Sequence, residues 1–172
     1  GRPSKTLLIG FDDIDISSVL PPRIIRNTIG STFQEVINSL QNQTDNDFIL
    51  IDLRNLIKDQ VSLDEYLTNY SNEMMRALRH ALIPLRYCGL LVSMPEEGGG
   101  GFPIPWSVGI ACRENLRLRD EKIGLIEDKN RLLYCIFLQA DKDERPSRKI
   151  FSTSIILSDL SIKIPGWTIP KP

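Results

Sequence analysis

Short apolar runs that alternate with stretches of helical spacing constrain this chain more than any other feature. Thr6 to Phe11, Phe48 to Leu53 and Gly89 to Ser93 are each too short for a helix. They are rich in Leu, Ile and Val, which predicts strands covered on both faces. Between the first two, Ser31 opens a helix with Gln34 three residues on, a capping-box pattern. Phe33, Val36, Ile37 and Leu40 follow at helical spacing. Between the second and third, Ser62 and Glu65 repeat the capping pattern. There Leu63, Tyr66, Leu67, Tyr70, Met74, Leu78, Leu82 and Leu85 form one stripe, with Pro84 loosening the last turn. Ser17 to Thr28, broken by Pro21-Pro22, reads as irregular. The order β-α-β-α-β predicts parallel strands joined by right-handed crossovers.

Past Pro95 the pattern changes. Residues 95–106 form a Gly/Pro loop whose four consecutive glycines suit a native mobile loop or an engineered linker equally. Ser107 to Cys112, Leu132 to Gln139 and Ile150 to Leu157 read as strands between charged turns, extending the sheet antiparallel. Residues 163–172 are Pro-rich and read as an extended tail. The expectation is a single α/β domain over 1–172. It has three layers, with a mostly parallel sheet in the N-terminal half and antiparallel strands in the C-terminal half.

Composition narrows the function classes. A net charge of -1 implies no bulk attraction to nucleic acid or membrane. No apolar run is long enough to span a bilayer, and the polar opening GRPSKT is not a secretory signal. The three cysteines, Cys88, Cys112 and Cys135, are far apart in sequence and sit in apolar runs. That favours a reducing, intracellular compartment, cytoplasm or nucleus, over a disulfide framework. His80 is the single histidine and lies on the long predicted helix. A structural zinc site or a Ser-His or Cys-His catalytic pair has little to build on.

Acids close the predicted strands: Asp12, Asp13 and Asp15 after the first, Asp52 after the second, Glu96 after the third. Ligands of parallel sheets bind outside the carboxyl ends of strands. Asp12, Asp13, Asp52 and Glu96 there would suit Mg²⁺, and Asp13, Asp15 and Asp52 would suit metal-assisted phosphoryl transfer. The competing reading is that strand ends meet water, where acids are common. Asp13-Ile14-Asp15 also resembles the D-x-D of haloacid-dehalogenase-type phosphatases, with Ser93 similar to their second motif. Neither G-x-x-x-x-G-K-[ST] nor G-x-G-x-x-G follows the first strand.

Arg113, Arg117 and Arg119 are two or four residues apart and would share a strand face, one suited to phosphates or an acidic partner, but Glu114, Asp120 and Glu121 dilute the field and favour a solvated face. Arg148 belongs to a second small basic cluster, and Trp106 and Trp167 lie in Pro-flanked segments where an aromatic would anchor a partner or, equally, pack over the sheet edge.

FILIDL, with Asp52 as its acid, is similar to the Walker B strand of RecA-like proteins. The helix ending MMRALRHALIPLR, the strand GLLVSMP and the later runs SVGIACRENLRLR, LLYCIFLQAD and KIFSTSIIL are similar to the elements that follow it. The order resembles the Elongator accessory subunits. That resemblance implies a RecA-like core without a complete P-loop, in a ring of protein subunits that contacts tRNA.

These readings lead to three expectations. The first is a non-catalytic interaction subunit, with protein partners and no cofactor. The second is an Mg²⁺-dependent phosphoryl-transfer enzyme or phosphohydrolase. The third is a nucleic-acid-binding module. None places the chain in a membrane.

Overall fold

The computed structural model describes residues 4–11, 24–28, 30–93, 104–113, 115–126 and 131–140. Among them six strands form one sheet in the order β2-β1-β3-β4-β6-β5. In chain order the strands are β1 (Lys5–Ile9), β2 (Ile24–Thr28), β3 (Asn46–Asp52), β4 (Leu82–Ser93), β5 (Arg117–Ile126) and β6 (Arg131–Gln139). β2, β1, β3 and β4 are mutually parallel. β6 runs antiparallel to both of its neighbours, β4 and β5. The result is the mixed α/β fold expected, parallel first and antiparallel later, and it is consistent with three layers.

α1 (Phe33–Gln41) follows β2. Its N-cap is Thr32, one residue later than the sequence pattern suggested, and Glu35 completes the box by accepting from the Thr32 and Ser31 amides. Phe33, Val36, Ile37 and Leu40 are buried as expected. The long predicted helix is in fact three pieces: α2 (Gln60–Glu65), a π-helical turn (Tyr66–Tyr70) and α3 (Ser71–Ala81). Asp59 caps α2, taking the amide of Ser62, so Ser62 stands inside the helix rather than before it. The π-turn shifts the helical phase. Leu63 and Tyr66 on one side of it, and Met74, Met75 and Leu78 on the other, then all reach the same core. The Phe33 ring lies 5.4 Å from that of Tyr66 and 5.0 Å from that of Tyr70, joining α1 to the turn.

The helix ends at Ala81 because Pro84 disfavours helical backbone at Ile83. Leu82 and Leu85 therefore leave the predicted stripe and belong to β4. Asn46 pairs with Leu82, but Phe48 already pairs with Tyr87, so β4 carries extra residues here. Leu85 takes φ 68°, and its amide donates to the Ala140 carbonyl at 2.9 Å.

Three expectations for local structure fail. Ile24–Thr28 is a strand pairing with β1, not irregular chain. Ile104–Cys112 is a helix, α4, so Ser107 to Cys112 is no strand and the predicted loop 95–106 ends inside it. Ile104, Val108 and Cys112 recur every fourth residue and all three are buried, with Pro105 tolerated in the first turn. A short apolar run cannot be told from a buried helix by its period alone. Finally, Arg113 leaves α4 in a turn, so it does not share a strand with Arg117 and Arg119.

The main core joins the helices to one sheet face through Leu7, Ile9, Ile49, Ile51, Cys88, Leu90, Tyr134, Ile136 and Leu138. The other face carries a smaller cluster, Leu8, Phe11 and Leu91, with Leu50 and Cys135 against it. Among the described residues no helix is long and apolar enough to cross a membrane.

Candidate functional site

β1 lies between β2 and β3, so the chain leaves β1 to one side and returns on the other. At such a reversal the connections diverge and leave a crevice outside the carboxyl ends of the strands. Gly10 and Asp52 meet there. Gly10 takes φ +87°, and a Cβ on it would stand 3.0 Å from the Asp52 carbonyl oxygen. Glycine alone allows both the left-handed turn and that approach. Gly30 brings α1 to the same edge: its Cβ would lie 2.6 Å from Val36 Cγ2 and 3.2 Å from Ile9 Cγ2.

Asp52 is buried at the end of β3, and Arg54 holds it. Arg54 Nε donates to Oδ1 at 2.8 Å, Nη2 donates to Oδ2, and the Arg54 amide donates to Oδ1 at 3.0 Å. The Arg54 side chain is 20% exposed and that of Asp52 only 3%, so the guanidinium is the more accessible partner of the pair. Its Nε–Nη2 fork is the geometry that matches a carboxylate, and Asp52 fills it. On the neighbouring strand the Leu53 amide donates to the Leu91 carbonyl at 2.9 Å, and Ser93 is buried at the end of β4.

Two observations limit the ligand. The N-terminus of α1 is satisfied by its own Thr32 and Glu35, so a carboxylate already occupies the place a phosphate would take. Among the described residues no three His, Cys, Asp or Glu side chains gather to hold a metal ion. Asp52 directs both oxygens to Arg54. Asp12, Asp13, Asp15, Glu96, Arg148 and Trp167 lie outside the described residues. Arg117 and Arg119 begin β5 at the opposite edge of the sheet, and Trp106 lies on α4, half-buried. The crevice therefore brings together Asp52 with two residues that sequence reasoning passed over, Gly10 and Arg54. The signals available were a glycine closing an apolar strand and an arginine two residues past a strand-end acid.

Burial disfavours the thiolate form of all three cysteines. Burial pushes Cys88 and Cys112 well up, and Cys135 up to about 11. Tyr66, whose buried hydroxyl has no hydrogen-bond partner among the described residues, is likewise pushed up by burial and by the neighbouring Cys112 and Cys88.

An antiparallel β6 inserted between the parallel pair β4 and β5, beyond a parallel half that reverses at β1, is the sheet of the Rossmann-like methyltransferase fold. Solved structures with this sheet are similar to the chain at low identity. The N-methyltransferase NodS from Bradyrhizobium japonicum WM9 is 12% identical at TM-score 0.53, over 83% of this chain and 88% of that one. TrmN from Thermus thermophilus is 14% identical at TM-score 0.51, over 80% of this chain and 44% of that one. Phosphoethanolamine N-methyltransferase 2 from Haemonchus contortus, in complex with S-adenosyl-L-methionine, is 12% identical at TM-score 0.53, over 92% of this chain and 37% of that one. The chain thus spans less than half the length of the latter two. No protein-family model and no curated protein matches the sequence.

The RecA-like, Elongator-type expectation is overturned by these neighbours, and the sheet gives the reason. The run Leu132 to Gln139, similar to a closing strand of a RecA-like core, is instead inserted beside β4. With it fall the non-catalytic scaffold, the Mg²⁺-dependent phosphoryl-transfer enzyme and the stand-alone nucleic-acid-binding module. The expectation of no cofactor, or of Mg²⁺, is corrected as well: the neighbours are S-adenosylmethionine-dependent enzymes.

Proposed function

We propose that this chain binds S-adenosyl-L-methionine in the crevice between β1 and β3 and takes part in methyl transfer to a nucleophilic acceptor. The observation that carries the reading is the sheet itself, with its reversal at β1 and the antiparallel β6 between β4 and β5. The residues at the crevice fit the group. The cofactor has no phosphate, and the nearby helix terminus is already closed by Glu35. Its amino-acid end carries a carboxylate, and Arg54 presents a guanidinium fixed in place by Asp52. Gly10 keeps the exit of β1 low, so a ligand can lie against backbone there. The chain departs from the dinucleotide pattern in having no G-x-G-x-x-G after β1 and no acid at the end of β2, where Thr28, Ile29 and Gly30 stand.

Bound S-adenosylmethionine supplies an electrophilic methyl group on a sulfonium. The chain's own contribution is to orient: Arg54 fixes the carboxylate end, Asp52 fixes Arg54, and Gly10 sets how closely backbone approaches. Three unpaired thiols support an intracellular site of action, cytoplasm or nucleus.

Calorimetric titration with S-adenosylhomocysteine tests the reading. One site per chain is expected, weakened about tenfold or more by Arg54→Ala. Equal heats for wild type and Arg54→Ala, or no heat up to roughly millimolar ligand, would reject it.

A further inference from the structure

Cys88, Leu90 and Val92 of β4 belong to the main core beneath the helices. Alternation along the strand turns Tyr87, Gly89 and Leu91 to the other face of the sheet. Register sets Phe48 and Leu50 of β3 beside them on one side, and Gln139, Phe137 and Cys135 of β6 on the other. Gly89 is the centre of this second face. A Cβ there would stand 2.7 Å from Leu50 Cδ1, 3.2 Å from Cys135 Sγ and 3.7 Å from Phe137 Cε1, so three side chains close over one glycine. Tyr87 is 42% exposed, and Phe48, Leu50, Cys135 and Phe137 are half-buried. Among the described residues the cluster on this face, Leu8, Phe11 and Leu91, has no helical member. A sheet whose central strands are parallel needs apolar cover on both faces.

Connectivity narrows what supplies that cover. Residues 12–23 join the neighbouring strands β1 and β2, and residues 94–103 join β4 to α4 on the main face. Residues 141–172 instead leave β6 at the amino-end edge of the sheet, where Gln139 pairs with Tyr87. From β6 across β4 and β3 to β1 is three inter-strand steps, about 14 Å, which about five extended residues span. The sequence of that segment has the matching pattern. Leu160, Ile162 and Ile164 alternate with Ser161 and Lys163, which gives an extended chain one apolar side. A segment tethered this closely acts at an effective concentration on the order of millimolar, far above that of a second copy in dilute solution.

We propose that residues 150–164 dock on this second face, with Leu160, Ile162 and Ile164 against Phe48, Leu50 and Phe137. The crevice takes no part, so the proposal stands or falls without any bound cofactor.

Cys135 is a native reporter of the face, while Cys88 and Cys112 report on the main core. The test is thiol labelling of the full chain at pH 8, read residue by residue by mass spectrometry. Leu160→Ser with Ile162→Ser and Ile164→Ser should speed labelling of Cys135 about tenfold or more and leave Cys88 and Cys112 protected. A variant labelled like wild type would overturn the proposal. So would a wild-type Cys135 that reacts as fast as it does in denaturant, or one whose protection is lost on dilution, since a second copy would then be the cover. Should the variant expose all three thiols by unfolding, photocrosslinking of the otherwise unaltered chain decides. With Tyr87 replaced by p-benzoylphenylalanine, the expected product is a cross-link within one chain to residues 150–164. Cross-linked dimers, or cross-links that never reach this segment, would overturn the proposal.

Discussion

Gly10 and Asp52 touch at the point where the sheet reverses: a Cβ on Gly10 would press to 3.0 Å of the Asp52 carbonyl oxygen. Gly10 also sits at φ +87°, where an L side chain is strained. Gly10→Ala is therefore expected to destabilise the fold by about 2 kcal/mol, read as a lower urea midpoint with an unchanged denaturant slope. Unchanged stability would mean that β1 leaves the sheet in another conformation.

The Asp52–Arg54 pair is the charged centre of the crevice. Removing the guanidinium leaves a buried carboxylate supported only by backbone, so Arg54→Ala should cost about 2–3 kcal/mol. Replacing both partners, as Asp52→Leu with Arg54→Met, should restore most of that stability while abolishing binding of S-adenosylhomocysteine. A double variant that keeps full affinity would remove this pair from the proposed site.

Thiol chemistry gives the pH dependence. Burial raises the Cys135 thiol to about 11, against about 8.5 in an unfolded chain. The folded state thus keeps a proton that the unfolded state loses. The resulting stability is complete below about pH 8.5 and is lost as pH rises toward 11. A disulfide reagent at pH 8 should label none of Cys88, Cys112 and Cys135 within minutes, and all of them in denaturant. Over the alkaline range the urea midpoint of Cys135→Ala should fall less than that of wild type.

The cap of α1 offers a control away from the crevice pair. Thr32→Ala removes the acceptor of the Glu35 amide and should cost about 1 kcal/mol, with cofactor affinity unchanged. A tenfold loss of affinity would mean that this helix terminus contacts the ligand directly.

Much of the parallel half was legible in the sequence. The runs Thr6 to Phe11, Phe48 to Leu53 and Gly89 to Ser93 fall on strands β1, β3 and β4, and Phe33, Val36, Ile37 and Leu40 form the buried stripe of α1. The rest was hidden for physical reasons. Tyr66 to Tyr70 keeps an unbroken apolar stripe, so the π-turn leaves no mark in the pattern. The run around Val108 is apolar on all sides, which hides its helical period. Most of all, no local signal tells that β6 enters between β4 and β5, because strand order is decided by long-range packing. At the site, Asp52 was legible as a strand-end acid, but its engagement by Arg54 depends on how the chain turns after β3.

Hydrogen–deuterium exchange of the chain with and without S-adenosylhomocysteine tests the central claim most directly, because it reports both binding and place. Protection is predicted at the carboxyl end of β1, over Ile9, Gly10 and Phe11, and after β3, over Leu53 to Ile57, with the start of β5 unaffected. Unchanged exchange at saturating ligand, or protection confined to the amino-end edge around Tyr87 and Arg117, would contradict it.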